Sequence, residues 1–77
     1  MAMLRFHWDF FGPDAATTAE HHLKHVVEFC VRAGIAEQKH WVTRLAAQAT
    51  ATLECDDQHL ALVRDSLRPK RAERVLG

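Results

Sequence analysis

The sequence predicts an α+β fold: a small, mainly antiparallel sheet with two helices on one of its faces. Three observations carry this. Residues 4–10 alternate, with Leu4, Phe6, Trp8 and Phe10 to one side and Arg5, His7 and Asp9 to the other. That period of two, rich in aromatics, marks a half-buried strand. Residues 14–33 repeat apolar side chains at helical spacing. Residues 48–55 alternate again, Ala49, Ala51, Leu53 and Cys55 against Gln48, Thr50, Thr52 and Glu54.

The first strand stops at Gly12-Pro13, since proline cannot donate to a ladder and glycine supplies the turn. Asp14 then stands where a helix N-cap belongs, and Thr17-x-x-Glu20 has the pattern of a capping box one turn later. Along the helix, Ala16, Ala19, Leu23, Val26, Val27, Cys30 and Val31 share one arc and form the expected buried stripe. Gly34 sits at the C-cap position.

Residues 36–47 admit two readings. Good helix formers and a stripe of Trp41, Val42, Leu45 and Ala49 favour a helix. Alternation over 39–45 favours a strand closing a hairpin with 48–55, because a two-stranded sheet is marginal alone. Ala46-Ala47 is poor hairpin-turn chemistry. Asp56-Asp57 caps a second helix over 58–67, with Leu60, Val63 and Leu67 inward, and Pro69 ends it.

The expected order is therefore β-α-β-β-α, a three-stranded sheet amounting to half of a ferredoxin-like arrangement; the alternative is β-α-α-β-α. Residues 1–69 form one small domain, and 70–77 a basic, disordered C-terminal tail. In this arrangement the first strand has a free edge, which favours pairing with a second copy. The sheet face away from the helices is open and polar.

Composition narrows the function classes. The chain has 77 residues, so its core is small and its net stability a few kcal/mol, about 3–5. Basic and acidic side chains number 10 each. This balance argues against nucleic acid as a partner, as does the inward direction expected of Phe6, Trp8 and Phe10, which an RNA-reading sheet would turn outward. No run of about 18 apolar residues points to a membrane span. Two cysteines, Cys30 and Cys55, lie far apart on core-facing positions. They read as reduced thiols acting as small hydrophobes in a cytoplasmic protein without a signal peptide.

Four constellations remain. His7 and Asp9 point the same way on the open face, about 7 Å apart along the strand, with Glu54 across the ladder. A histidine–carboxylate set can do general acid–base work, which would make this a small enzyme subunit. His21, His25 and Glu28 fall at i, i+4 and i+7 on one helix face, a spacing able to chelate zinc or nickel. Phe29 and Leu62 lie off their apolar stripes and, with Arg5 and Arg44, could meet a protein partner. Arg68, Lys70, Arg71 and Arg74 give residues 64–77 an excess of positive charge suited to an anionic partner. The reading these observations favour is a cytoplasmic protein-interaction module that self-associates as a homodimer or binds another protein, with no intrinsic catalysis and no cofactor.

Overall fold

A computed structural model of the chain describes residues 2–75. Its elements are β1 (Met3–Phe11), α1 (Ala15–Ala33), β2 (Gln38–Leu45), β3 (Gln48–Asp56), a 3-10 turn (Asp57–His59), α2 (Leu60–Leu67) and β4 (Arg71–Val75). The four strands make one sheet in the order β2-β3-β1-β4, every neighbouring pair antiparallel. β1 and β2 thus run parallel with β3 between them, and β3 and β4 run parallel with β1 between them. Two split β-α-β units interlock, which is the complete ferredoxin-like arrangement.

This corrects the three-stranded expectation in two ways. Arg71–Val75, expected in a disordered basic tail, form a fourth strand; Leu76 and Gly77 lie outside the described residues. β1 consequently has no long free edge. It is central, paired with β3 from Met3 to Phe11 and with β4 from Met3 to His7. The edges are β2 and β4.

Between residues 36 and 47 the strand reading holds and the helix does not. β2 and β3 pair from Gln38↔Cys55 to Leu45↔Gln48, leaving a two-residue loop, Ala46-Ala47. Among the described residues only Arg68 is a non-glycine with positive φ, so this loop lacks the left-handed residues of favoured hairpin turns. A tertiary tie replaces turn chemistry: Gly12 N–H donates to the Ala47 carbonyl at 3.0 Å.

The core lies between the helices and one sheet face. Leu4, Phe6 and Trp8 from β1 and Ala49, Ala51, Leu53 and Cys55 from β3 meet Ala15, Ala19, Leu23, Val26 and Cys30 from α1. Val63 seats α2, and Trp8 Nε1–H donates to the Leu67 carbonyl at 2.8 Å, fixing its last turn. Two stripe assignments shift. Val31 is 74% exposed because at 3.6 residues per turn it stands about 80° beyond the arc of Ala15, Ala19, Leu23, Val26 and Cys30, and Leu60 is exposed at the first residue of α2.

The caps also divide. Gly34, at φ 77°, ends α1 in a Schellman motif: Ile35 N–H reaches the Cys30 carbonyl at 2.9 Å, Gly34 N–H the Val31 carbonyl at 3.3 Å, and Ile35 is buried. Asp14 makes no side-chain cap; its carbonyl instead accepts from Thr18 N–H and Thr18 Oγ1–H, each at 3.0 Å. After α2, Arg68 turns left-handed at φ 48°. Lys70 N–H can then donate to the His7 carbonyl at 2.9 Å, which starts β4 against β1.

Candidate functional site on the open sheet face

Strand alternation sends the odd residues of β1 and the even residues of β3 away from the helices. The pairing register adds Lys39, Trp41, Thr43 and Leu45 from β2, and Arg71 and Glu73 from β4. On this face three charge-bearing sets repeat the same plan. Arg5 Nε–H donates to Glu54 Oε1 at 2.9 Å. His7 joins Thr52 Oγ1 through Nδ1 at 2.9 Å and Glu73 Oε1 through Nε2 at 2.8 Å. Asp9 Oδ1 accepts from Thr50 Oγ1–H at 2.7 Å and, with Oδ2, from Arg71 at 3.1 and 3.2 Å.

His7, Thr50, Thr52 and Glu54 are buried although no helix covers them. Their own neighbours shield them. The Arg71 guanidinium and then the Thr50 hydroxyl hold the Asp9 carboxyl below its ordinary range. His7 is the first cause of the same downward shift at Glu73.

His7 and Asp9, expected as a pair, do not meet. Each takes a partner from β4, and Glu54 serves Arg5 instead. The set Thr52–His7–Glu73 has the nucleophile–base–carboxylate order of a hydrolytic relay. Thr52, however, is only 1% exposed, so its hydroxyl offers no approach to a substrate carbonyl. The arrangement orients and neutralises side chains; it does not present a nucleophile.

Around the polar sets lie apolar groups. Phe11, Gln48 and Leu45 stand in one register row across three strands, and Phe11 and Leu45 are 73% and 61% exposed. Trp41 is half-buried, and the Arg5 guanidinium carbon stands 5.3 Å from its ring centroid, a cation–π contact. A shallow basin of about 320 Å³ opens among Arg5, His7, Trp41, Leu45, Thr50 and Arg71.

The remaining expected residues sit elsewhere. His21, His25 and Glu28 are exposed on α1; the two rings stand 4.9 Å apart edge-on, and His25 Nδ1 is 3.5 Å from Glu28 Oε1. Among the described residues no group of three or more His, Cys, Asp or Glu side chains is placed to hold a metal ion. Phe29 packs partly against the core and Leu62 is exposed on α2. Arg44 pairs with Glu20 at the rim of a groove of about 560 Å³ between α1 and β2. Of the tail cations, Arg71 is taken by Asp9 and Arg74 lies 3.5 Å from Asp57. Arg68 and Lys70 are exposed in the turn before β4. Burial pushes the Cys30 thiol up and the Cys55 thiol up to about 11, so neither is a thiolate at neutral pH.

Sequence reasoning missed Glu73 and assigned Arg71 to a basic tail rather than to the sheet face, because nothing buried marks β4 as a strand. It also missed Trp41, Leu45 and Phe11 as an apolar set, which becomes visible only once the register is known. No helix among the described residues is long and apolar enough to cross a membrane. Comparison with protein-family models, curated proteins and solved structures finds no match to this chain.

Proposed function

We propose that this protein is a small cytoplasmic interaction module that self-associates by packing its open sheet face against that of a second copy. The observation that carries the reading is the row of Phe11 and Leu45, solvent-exposed on a face where Arg5, His7 and Asp9 already have partners and Lys39 is the one charge left over among the described residues. Charged groups that meet their partners before association lose less on desolvation than unpaired ones. Arg5, Lys39 and Arg71 balance Asp9, Glu54 and Glu73 on this face when His7 is neutral. A balanced face suits its own copy better than a polyanion such as nucleic acid.

Size sets the expected strength. Strands of nine, eight, nine and five residues, at about 3.3 Å per residue and about 4.8 Å apart, give a face of roughly 500 Å². Two copies would hide roughly 1,000 Å², the lower end for a specific complex, which implies a micromolar rather than nanomolar dimer. The two buried free thiols suit a reducing compartment.

Sedimentation equilibrium tests this. Wild type should move from monomer towards dimer mass across the micromolar range, and Phe11→Asp and Leu45→Asp should remain monomeric. Both positions are exposed, so neither change threatens the fold. Wild type that stays monomeric at about 500 μM, or variants that associate as it does, would overturn the reading.

A further inference from the structure

We infer that the basin on the open sheet face is a binding site for a small organic anion with a flat apolar body, an aromatic carboxylate. Its lining contains Arg5 and Arg71, the Trp41 and Leu45 side chains, Thr43 and Gln48, and among the described residues no carboxylate. Asp9, Glu54 and Glu73 do not line the hollow; each is bonded to a residue that does, Arg71, Arg5 and His7 respectively. Glu54 takes only Nε–H of Arg5, which keeps that residue's terminal amino groups for another acceptor. Asp9 takes Nε–H and one terminal amino group of Arg71, which leaves the second.

Those carboxylates do two things. They cancel most of the long-range field, so a bare anion gains little from entering. They also hold the guanidinium groups in fixed orientations, so a ligand that matches them loses little entropy in ordering them. Trp41 fixes Arg5 a second time, through the 5.3 Å cation–π contact. Recognition then comes from directed donors beside an apolar wall, which asks for a carboxylate attached to a ring and not for charge alone. A volume of about 320 Å³ is at the small end of ligand sites and fits one fused two-ring acid. The basin belongs to a single chain, and a second sheet would serve only as its roof, so this inference and self-association fail separately.

The probe is 2-naphthoate, followed by amide chemical shifts and tryptophan fluorescence, with 2-naphthamide and inorganic phosphate as controls. Expected is saturable binding of one naphthoate per chain, with shifts on β1, β2 and β3 around Arg5 and Trp41. The amide and phosphate should each bind at least tenfold more weakly. Arg5→Gln alone would strand the buried Glu54 carboxylate, so the informative variant is Arg5→Gln with Glu54→Gln, which removes the pair together. It should lose at least tenfold in affinity, while Lys70→Gln, outside the basin, stays within twofold. Phe11→Asp, the monomeric variant, should bind within threefold of wild type. Equal affinity for naphthoate and naphthamide would overturn the inference. So would phosphate binding as tightly as naphthoate, or shifts confined to the groove between α1 and β2. Loss of binding in Phe11→Asp would overturn the claim that one sheet suffices.

Discussion

His22 is the residue least at ease in this molecule. Its ring lies between Trp8 and Phe10, with centroids 5.1 and 5.5 Å away, and its Nε2 is buried without a hydrogen-bond partner. Burial first, and the nearby His25 second, push its pKa below the ordinary 6.5. The native state therefore holds fewer protons on this ring than the unfolded chain does. Its contribution to stability is present above pH 6.5 and is lost as pH falls through the folded value. His22→Phe should remove both the orphaned nitrogen and the pH dependence. Stability should rise by about 1–2 kcal/mol, which for so small a domain is roughly 4–16 °C in Tm, with the larger gain at pH 5.5 than at pH 8. Thermal melts at the two pH values measure it; equal shifts at both would show that His22 is not the titrating group. At helical spacing His22 falls beside the buried stripe of α1, next to Phe29. Nothing in the letters showed that two aromatic rings of β1 would close over its nitrogen, because that depends on how α1 lies across the strand.

At the scale of elements, β4 is held differently from its neighbours. It buries no side chain, whereas almost every residue of β3 is buried. Ala72 and Arg74 point to the helix side and remain exposed, since α2 does not reach over them. What fastens β4 is its ladder to β1 together with His7–Glu73 and Asp9–Arg71. Both carboxylates titrate below their ordinary values of 4.5 and 3.8. Their stabilisation is complete above those values and disappears as pH falls beneath them. Native-state amide exchange compared between pH 3 and pH 6, after correction for intrinsic rates, should show protection lost at 71–75 at the lower pH while β3 stays protected. Uniform loss across the sheet would contradict it. This also explains why β4 escaped sequence reasoning while β1, α1 and β3 did not. Strand patterns are legible when burial writes them as apolar alternation, and Arg71-Ala72-Glu73-Arg74-Val75 buries nothing. The Ala46-Ala47 turn was obscured for a related reason: its support comes from Gly12, more than thirty residues earlier.

For the molecule as a whole, the missing strand mattered more than its five residues suggest. Without it the open face holds an isolated His7–Asp9 pair beside a free edge. With it, each of those residues gains an opposite partner, and the free edge moves from β1 to β4. The α+β class and the face that carries the site were readable from period-two and period-3.6 patterns. The site's membership was not, because it depends on diagonal contacts between strands far apart in sequence. Self-association adds a prediction at this scale. Mass action should raise the wild-type Tm with protein concentration, and the Phe11→Asp Tm should not change. Differential scanning calorimetry over a hundredfold range of concentration reads this directly.

The interlocking of the two β-α-β units also sets an order of events in time. The turn closing α1 needs only local contacts, and the β2–β3 ladder pairs strands two residues apart, but the β1–β4 ladder joins Met3 to Val75. Closing so long a loop costs entropy that is repaid only after β1 has docked on β3. The fourth strand should therefore add last, on the native side of the folding barrier. Substitutions such as Glu73→Gln should hasten unfolding and leave the refolding rate nearly unchanged, a φ-value close to zero. Substitutions at Leu53 or Val26 should slow refolding. Stopped-flow chevrons would separate the two, and a slowed refolding limb for Glu73→Gln would place β4 in the nucleus instead. Until that last strand arrives, the central strand has one side unpaired, and this interval is when the chain is most open to joining the wrong neighbour.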